Sequence, residues 1–571
     1  MIRDVNCGEL REKDSGRHVR IAGWVRKIRD HGEIIFIDLW DRYGKTQVFI
    51  PSDREELKEK VREIGLEWVV LFEGEVRERP EEMKNRKIPT GGIEVVAERM
   101  EVLNRSRVPP FVVGEEIKAG EELRYRYRYL DLRRRRMIKN FEIRHRVMQV
   151  VRDYLDRNGF IEVETPYLAK STPEGARDFV VPSRLHPGKF YALAQSPQIY
   201  KQILMVSGFD RYYQFARCFR DEDLRGDRQF EHTQIDIEFS FPEEEDVFNL
   251  TEGLMADIFK QVRGIELETP FPRMKYIQSM EKYGTDKPDL RNPLMIEEFT
   301  ERVKDSPFRV FSSSEYTGGI RVKGILSRRD IQELEERIKK EGGKGVLYLV
   351  KEGEYRGSFV KHHPDLDTFG LNDGETLLLI SGERKQALTL LGILRNILGE
   401  KLGLIQDGFR FVWITRFPLF ELDEDENITP CHHIFTMPAV SIEEVRENPT
   451  TAEGMQYDLV LNGVELASGS IRNHNPEIQR ELFRIMGLSE DEIEERFGFL
   501  LEALSLGAPP HGGIAPGLDR LCMLLAGEES IRDVIAFPKT YQGLGLMEGS
   551  PSYVHKELLR ELHIKVVDDD A

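Results

Sequence analysis

The chain has 571 residues, of which 40% are hydrophobic, and its formal net charge at pH 7 is −18. This length exceeds what a single hydrophobic core normally supports, so several domains are expected. The negative charge argues against a protein that binds nucleic acid over its whole surface, and any RNA contact is expected on a local patch.

The sequence also limits where the protein is expected to reside. The N-terminal residues MIRDVNCGEL lack the apolar core of a signal peptide, and no run of 18 apolar residues predicts a membrane span. The four cysteines are scattered without a CxxC pair, which argues against a zinc ribbon or a disulfide framework. A reducing cytoplasm is therefore the expected compartment.

Residues 1–104 contain short alternating apolar runs, separated by turn residues and one helical stretch at about 52–65. Five strands and a helix within roughly a hundred residues predict a small β-barrel, and an OB-fold fits best. Residues 105–137 follow with prolines, alternating Arg and Tyr, and then four arginines, so they are predicted to form a hinge. Two interpretations of the arginines are open: they face RNA, or they begin a solvated helix.

Residues 211–240 are predicted to form two strands joined by the charged loop 223–228. Period-2 alternation gives one face of the second strand four polar side chains, those of His232, Gln234, Asp236 and Glu238. By the same count Arg220 and Glu222 share a face with Ala216 and Cys218. A floor for a polar substrate explains this charged face better than the alternative, a solvated outer face, because Arg binds carboxylate or phosphate in a bidentate manner.

Residues 288–408 have strand and helix patterns of their own and are predicted to be a domain inserted into the region that surrounds them. Further along, residues 457–472 contain Asn462-Gly463, a strong signal for a two-residue turn. Counting outward pairs Val460 with Glu465, which places Asp458 and Glu465 on one face as diagonal neighbours. A hard cation such as Mg²⁺ would resolve their repulsion, and two exposed surface acids are the alternative.

The face of the hairpin on which Arg472 lies depends on the strand register. Strict alternation places Arg472 on the opposite face from Glu465. A β-bulge at Gly469 would bring the two residues to the same face.

Three segments together resemble a known family. Phe219-Arg220-Asp221-Glu222, with Arg228-Gln229 after the loop, resembles motif 2 of the class II aminoacyl-tRNA synthetases. GFIEVETP (159–166) resembles motif 1, a helix end that runs into a strand, and Gly517–Arg520 with the apolar run 521–525 resembles motif 3, a strand ending in an Arg and then a helix. With TPEGARD (172–178) and QSPQIYK (195–201) between the first two motifs, the chain is similar to the aspartyl-tRNA synthetases over essentially its whole length. The insertion resembles the GAD domain of the bacterial type.

This resemblance implies an α+β multidomain architecture. The expected parts are an OB-fold anticodon-binding domain (1–104), a hinge (105–137), a class II antiparallel-sheet catalytic domain with a C-terminal extension (138–287 and 409–571), and an inserted α+β GAD-type domain (288–408). It also implies a homodimer whose interface is formed largely by motif 1.

The implied activity is that of an aspartate–tRNA ligase, which uses ATP and Mg²⁺ to form aspartyl-adenylate and then acylates the 3′ end of tRNA(Asp). Carried over residue by residue, the catalytic arginines are Arg220 and Arg520. The ATP-binding residues are Arg220, Asp221, Glu222, Gln229, His232, Glu465, Gly517, Leu518, Asp519 and Arg520, and the metal ligands are Asp458 and Glu465. The aspartate-binding residues are Glu174, Gln198, Lys201, Arg220, Asp236, His432 and Arg472. The anticodon-binding residues are Arg29 in the loop after the first strand, His31, Phe36, Gln47 and Glu94.

The chain departs from the family pattern at three places. His232 stands where Phe commonly stacks on adenine, and residues 466–469 replace a more glycine-rich run. His31 stands where many members have Leu. In this family His at that position accompanies relaxed enzymes, which also aspartylate tRNA(Asn), so relaxed specificity is the hypothesis. An imidazole can donate or accept a hydrogen bond and can therefore tolerate either cytosine or uracil.

Three other functions compete with this one. An asparaginyl- or lysyl-tRNA synthetase would share the architecture, but Lys201 with Arg472 suits a substrate carboxylate better. A synthetase-like enzyme that makes asparagine without RNA would not need the N-terminal barrel. A non-catalytic RNA-binding paralogue would be expected to lose motif residues such as Arg220 and Arg520, which are present.

Overall fold

The computed structural model of the chain describes residues 1–114, 118–171, 176–423 and 425–567. The chain divides into two compact units, Met1–Ile143 with Arg532–Tyr553, and Arg144–Ile531 with Val554–Ala571. Within the described ranges, no helix has both the length and the apolar character that crossing a membrane requires.

The first unit is built on a closed five-stranded barrel. Its strands are β1 (His18–Asp30), β2 (Ile35–Asp41), β3 (Gly44–Ile50), β4 (Val69–Glu78) and β5 (Ile93–Asn104), closed in the order β1-β2-β3-β5-β4. The helices that begin in this unit are α1 (Glu55–Arg62), α2 (Glu121–Arg126), α3 (Arg128–Asp131) and α4 (Arg135–Arg157). Alternate side chains such as Ile35, Ile37 and Val48 are fully buried inside the barrel. The predicted OB-fold, with five strands and one helix between them, is confirmed.

The arginine-rich stretch before α4 is held mainly by contacts inside the first unit. Arg128 is buried, and its guanidinium donates to the Asp131 carboxylate at 2.6 Å and to the backbone oxygens of residues 532, 535 and 536. Arg134 is also buried and donates to Asp131 at 2.9 Å, while Arg133 donates to Glu67 at 2.9 Å. These three arginines therefore tie the first unit together rather than facing RNA.

The second unit contains the remaining strands. They are β6 (Ile161–Glu162), β7 (Leu168–Ala169), β8 (Val180–Pro182), β9 (Phe190–Leu193), β10 (Arg211–Phe219), β11 (Glu231–Ser240), β12 (Arg273–Lys275), β13 (Ile296–Glu298), β14 (Tyr316–Lys323), β15 (Leu347–Glu352), β16 (Glu354–Gly357), β17 (Glu375–Gly382), β18 (Phe411–Thr415), β19 (Phe420–Leu422), β20 (Ile428–Pro430), β21 (Gln456–Leu461), β22 (Val464–Ile471) and β23 (His511–Pro516).

Twelve more helices accompany these strands in the described chain: α5 (Gln198–Val206), α6 (Glu244–Arg263), α7 (Tyr276–Tyr283), α8 (Thr300–Val303), α9 (Arg309–Ser312), α10 (Arg328–Lys340), α11 (Arg384–Lys401), α12 (Ile442–Glu447), α13 (Pro476–Ile485), α14 (Glu490–Ser505), α15 (Leu518–Ala526) and α16 (Lys556–Glu561).

Eight strands form the main sheet, in the order β12-β18-β21-β22-β23-β11-β10-β6. The six inner strands pair with one another in antiparallel fashion, whereas the edge strands β6 and β12 run parallel to β10 and β18 beside them. This is the antiparallel catalytic sheet that the sequence predicted. The two hairpins with charged faces, β10–β11 and β21–β22, belong to the same sheet and are joined through β23.

A separate five-stranded sheet, β13-β14-β17-β15-β16, lies within the predicted insertion. Helices α10 and α11 pack on one face of it, where Leu391 and Leu394 are fully buried with Ile320. A cluster rich in phenylalanine, including Phe359 and Phe369, covers the other face. The segment therefore has a hydrophobic core of its own, and the exact domain bounds stay predictions.

Candidate active site

The hairpin β10–β11 forms the floor of the candidate site. Its register pairs Cys218 with His232, Ala216 with Gln234 and Gln214 with Asp236, so the predicted polar face is present. One detail of the prediction was wrong: β10 ends at Phe219, so Arg220 and Glu222 lie in the loop rather than on the strand. The Arg220 N–H nevertheless donates to the backbone oxygen of residue 230 at 2.8 Å, which extends the pairing by one step.

A buried cluster of four charges lies on this floor. Lys201 on α5 is 3.0 Å from Asp236 and 3.4 Å from Glu238. Arg472, just after β22, donates to both oxygens of Glu238, at 2.9 and 3.1 Å. Each of the four residues is at most 2% exposed, so two cations and two carboxylates balance one another away from water. Unpaired, any one of them would be very costly to bury.

The two carboxylates of this cluster differ in their electrostatic state. Burial raises the pKa of Asp236, and the opposing effect of Lys201 does not cancel it. Burial also acts to raise the pKa of Glu238, but Arg472 and Lys201 outweigh it and hold that pKa below its usual value. The charge of Glu238 is therefore compensated by Arg472 and Lys201, whereas the charge of Asp236 is compensated less completely.

Two polar atoms in the cluster have no partner. Oδ1 of Asp236 and Nε2 of Gln198 are buried, and neither makes a hydrogen bond within the described part of the chain. Buried polar groups are normally hydrogen-bonded, so this unmatched acceptor and this unmatched donor are groups that a polar ligand could satisfy. The guanidinium of Arg472 also contacts His433 Nε2 at 2.5 Å and Ser470 Oγ at 2.8 Å, which fixes its orientation.

The hairpin β21–β22 brings the second set of candidate residues to this sheet. Its register pairs Val460 with Glu465 across the Asn462-Gly463 turn, as predicted. A β-bulge lies next to this pair, because Leu459 pairs with Ala467 and Leu466 is left as the extra residue. The predicted bulge at Gly469 was therefore wrong in position, but the real bulge has the same consequence. It puts Arg472 on the face that carries Asp458 and Glu465.

Asp458 and Glu465 form the acidic pair. Asp458 is fully buried, and neither of its carboxylate oxygens has a hydrogen-bond partner among the described residues. Burial and the nearby Glu465 raise the pKa of Asp458 well above its usual value. Burial also acts to raise the pKa of Glu465, but Lys287 at 2.8 Å and Arg520 lower it below normal. His432 is half-buried, with Nε2 3.9 Å from Asp458 Oδ2.

The acidic pair fits a hard divalent cation, since both oxygens of Asp458 are unsatisfied among the described residues and the charge of Glu465 acts on Asp458. No group of three or more His, Cys, Asp or Glu side chains that could hold a metal ion occurs in the described ranges.

Arg520 lies beside the acidic pair, and the charges of Arg520 and Arg220 both act on His232. Arg520 donates to the backbone oxygen of Glu465 at 2.8 Å and to Asp227 at 3.1 Å. It lies in the first turn of α15, since β23 ends at Pro516, so the predicted position at the end of the strand was wrong. Burial, followed by the charges of Arg220, Arg520 and Arg217, lowers the pKa of His232 to about 3. His232 is therefore a neutral ring next to the arginines at neutral pH.

Other predicted site residues have structural contacts. The Asp519 carboxylate accepts from Arg144 at 2.5 Å and from the Thr233 N–H at 2.8 Å, so its side chain joins α15 to β11. Leu518 is fully buried. The Gly517 N–H donates to the backbone oxygen of Leu466 at 2.8 Å, at the bulge.

The remaining motif 2 residues lie in or near the loop after β10. The Asp221 N–H donates to the backbone oxygen of residue 177 at 3.0 Å, and Glu222 accepts from Arg228 at 2.8 Å. Gln229 is buried. The predicted ligand Glu174 lies outside the described residues.

The predicted anticodon residues lie together on the barrel, although Glu94 is buried and accepts from Arg77 at 2.5 Å. Arg29 lies on β1, not in the loop that follows, and pairs with Phe36 on β2. Its guanidinium donates to Gln47 at 3.1 Å, and Gln47 donates to Glu94 at 2.9 Å. Phe36 is half-exposed, between two fully buried isoleucines, so it belongs to the surface rather than to the core. The His31 ring meets Phe36 edge-on, with ring centres 6.0 Å apart.

Three residues of the active-site face were not predicted to have a role. Glu238 was placed on the right face by alternation, but its bond to Arg472 depends on a bulge that no pattern locates. His433 adjoins the predicted His432 and could have been considered with it. Lys287 lies far from Glu465 in the chain, and only the folded structure brings the two together.

The chain is similar to known proteins over nearly its whole length. The sequence family described as "tRNA synthetases class II (D, K and N)" matches residues 120–541, and the one described as "OB-fold nucleic acid binding domain" matches residues 19–103. A protein of Oleidesulfovibrio alaskensis named "Aspartate--tRNA(Asp/Asn) ligase" is 49% identical over 99% of this chain and 95% of its own length. A protein of Desulfatibacillum aliphaticivorans with the same name is 48% identical over 100% of this chain and 99% of its own.

Solved structures show the same fold at much lower identity. The asparaginyl-tRNA synthetase of Pyrococcus horikoshii, complexed with asparaginyl-adenylate, superposes with a TM-score of 0.62 at 19% identity, covering 95% of this chain and 99% of that one. An aspartyl tRNA synthetase from Entamoeba histolytica gives a TM-score of 0.59 at 18% identity, covering 94% and 91%.

Proposed function

Because the chain belongs to the class II tRNA synthetases of the aspartate, lysine and asparagine group, we propose that it is an aspartate–tRNA ligase. In the first step the α-carboxylate of L-aspartate attacks the α-phosphorus of ATP, aspartyl-adenylate forms, and pyrophosphate leaves. In the second step a hydroxyl of the 3′-terminal ribose of tRNA attacks the activated carbonyl, and AMP leaves. Both steps depend on positioning and on charge stabilisation more than on covalent chemistry by the protein.

The observation that carries this proposal is the buried cluster of Lys201, Asp236, Glu238 and Arg472. Lys201 and Arg472 would bind the side-chain carboxylate of aspartate, while Asp236 and Gln198 would meet its ammonium group. A lysine side chain would bring a third cation against these two. Asparagine would offer them a neutral amide in place of a carboxylate and would lose the charge-assisted hydrogen bonds that aspartate makes.

The nucleotide would occupy the adjoining face. Arg220 would hold the α-phosphate beside the aspartate carboxylate, and Glu222 and Gln229 would contact ATP. Arg520 and the neutral ring of His232 would stack on adenine. Asp458 and Glu465 would hold Mg²⁺, which when bound neutralises phosphate charge; His432 would close over the amino acid.

The barrel surface would read the anticodon. Single-stranded bases stack on exposed aromatic rings and hydrogen-bond through their edges, and Phe36 with Arg29, Gln47 and Glu94 offers both kinds of contact. The relatives named above are named for both tRNA(Asp) and tRNA(Asn). With His31 beside Phe36, we propose the same relaxed specificity for this chain, acting as a homodimer in the cytoplasm.

The test of amino acid selection is ATP–pyrophosphate exchange run in parallel with aspartate, asparagine and lysine. The proposal predicts exchange that depends on aspartate. Exchange that asparagine or lysine supports better would identify a sister enzyme, and no exchange with any of them would refute an amino acid-activating function.

A further inference from the structure

Lys287, which the family resemblance leaves without a role, lies at the acidic pair. Resting on the function proposed above, we propose that Lys287 is a nucleotide-site residue with two alternating partners. Lys287 neutralises the Glu465 carboxylate while the site is empty. When a divalent cation is bound at that carboxylate, Lys287 would instead bind the phosphates of ATP.

The geometry places the Lys287 ammonium where a cation would compete with it. Its Nζ is 2.8 Å from Glu465 Oε2 and 3.9 Å from Asp286 Oδ2. The neighbouring Asp458 is fully buried, with both oxygens unsatisfied among the described residues. Lys287 therefore pairs with the carboxylates of Glu465 and Asp286, and the charge of Asp458 also acts to raise the pKa of Lys287. Arg520 approaches the Glu465 carboxylate less closely, at 3.6 Å.

The segment that carries Lys287 is held firmly against the hairpin. Arg395 on α11 is fully buried, and its guanidinium donates to the backbone oxygens of residues 289, 292 and 294, at 2.6 to 2.9 Å. A Cβ added to Gly463 would come within 3.2 Å of Asp289 Cβ, so this segment packs directly on the β21–β22 turn. The approach of Lys287 to Glu465 is thus built into the fold and is not a chance surface contact.

The chemistry explains why one lysine can serve both states. Two carboxylates this close repel each other when no metal is present, and an ammonium group relieves that repulsion. Glu465 would hold a divalent cation that neutralises phosphate charge, and the Lys287 ammonium, no longer needed at that carboxylate, would be free to bind the phosphates. The lysine ammonium is a compact charge on a flexible side chain and suits phosphate binding. In the nucleotide-bound site its charge would therefore be compensated by phosphate instead of by Glu465.

The test compares Lys287→Met with Lys275→Met, which removes a lysine that pairs with Glu453 at 3.0 Å elsewhere in the same unit. Mn²⁺ binding to the nucleotide-free protein is followed by electron paramagnetic resonance, and binding of α,β-methylene-ATP with Mg²⁺ by calorimetry. We expect Lys287→Met to bind Mn²⁺ about fivefold more tightly and the nucleotide about tenfold more weakly, and Lys275→Met to match wild type. Unchanged Mn²⁺ affinity or unchanged nucleotide affinity in Lys287→Met would overturn the proposal.

A measurement on the wild-type protein covers the case in which Lys287→Met does not fold. Acetic anhydride labelling, mapped by mass spectrometry, reports how accessible each lysine is. Mn²⁺ alone should increase the labelling of Lys287, and Mg²⁺ with the nucleotide analogue should decrease it. The labelling of Lys275 should stay constant in both cases. No change in Lys287 labelling after either addition would overturn the proposal. If the wild-type protein does not bind the analogue, the proposed ligase function is refuted. If it binds the analogue but the labelling of Lys287 does not change, only the role of Lys287 is refuted.

Discussion

Arg220 and Arg520 come from different elements, the loop after β10 and the first turn of α15, yet both lie close enough to His232 to lower its pKa. Both guanidinium groups are partly accessible, at 34% and 24% exposure, so a substrate can reach them. Two such cations, one of them beside the acidic pair, match the charge distribution of a nucleotide with its metal ion.

We expect Arg220→Ala and Arg520→Ala each to slow adenylate formation about 10²–10³-fold, because each removes a preorganised charge from the transition state. Single-turnover formation of aspartyl-adenylate measures this directly. Arg217→Ala is the matched control, since Arg217 belongs to the same hairpin but pairs with Glu231 at 2.8 Å. Near-wild-type rates in either of the first two variants would contradict their assignment.

Arg472→Leu should affect both amino acid use and stability. It removes one cation that faces the substrate carboxylate, so aspartate use should fall far more than ATP binding. It also leaves Glu238 buried without its bidentate partner, and breaking a buried pair costs about 3–5 kcal/mol of folding free energy. Equal losses of ATP and aspartate affinity, or an unchanged free energy of unfolding, would show that the buried cluster is misinterpreted.

At the residue scale, the sequence predicted the positions of side chains that depend on a nearby turn and on strand alternation. The Asn462-Gly463 turn fixes the register on either side of it, so Asp458 and Glu465 could be placed on one face. The position of Arg472 depends on the bulge at Leu466, which alternation cannot locate. Lys287 could not be found, because its contact with Glu465 spans a whole inserted domain of the chain.

At the scale of elements, the strands of the barrel and of the main sheet followed from alternation, while their ends did not. β1 runs to Asp30, so Arg29 is a strand residue fixed by its pairing with Phe36 rather than a loop residue. The arginines before α4 could not be assigned from sequence. The buried contacts of Arg128 with residues 532, 535 and 536 join segments about 400 positions apart.

The short turn between β1 and β2 carries the prediction on tRNA choice. His31→Leu should abolish aspartylation of tRNA(Asn) while preserving that of tRNA(Asp), because leucine shapes the pocket without a donor or acceptor. Charging of both purified tRNAs by wild type and variant measures the effect. His18→Leu, on the barrel but paired with Glu98 at 2.9 Å, should not change specificity. Strict rejection of tRNA(Asn) by wild type, or equal charging by wild type and His31→Leu, would contradict the prediction.

At the scale of the whole molecule, the motif 1 region leaves apolar side chains uncovered. Ile161 on the edge strand β6 is 52% exposed, and Leu168 is 51% exposed. We expect a dimer at micromolar concentration in sedimentation equilibrium, with Leu168→Asp shifted towards monomer. Ile277→Asp, at an apolar residue of similar exposure on α7, should remain a dimer. A wild-type monomer would rule out this interface.

The most direct test of the account is the complete reaction. Purified protein, ATP, Mg²⁺ and radiolabelled aspartate are incubated with tRNA(Asp), and with tRNA(Lys) as the matched control. The account predicts aspartate esterified to the 3′ end of tRNA(Asp), released by mild base, with no charging of tRNA(Lys). Charging of tRNA(Asp) with asparagine or lysine in place of aspartate, or no charging by a protein that still binds ATP, would contradict it.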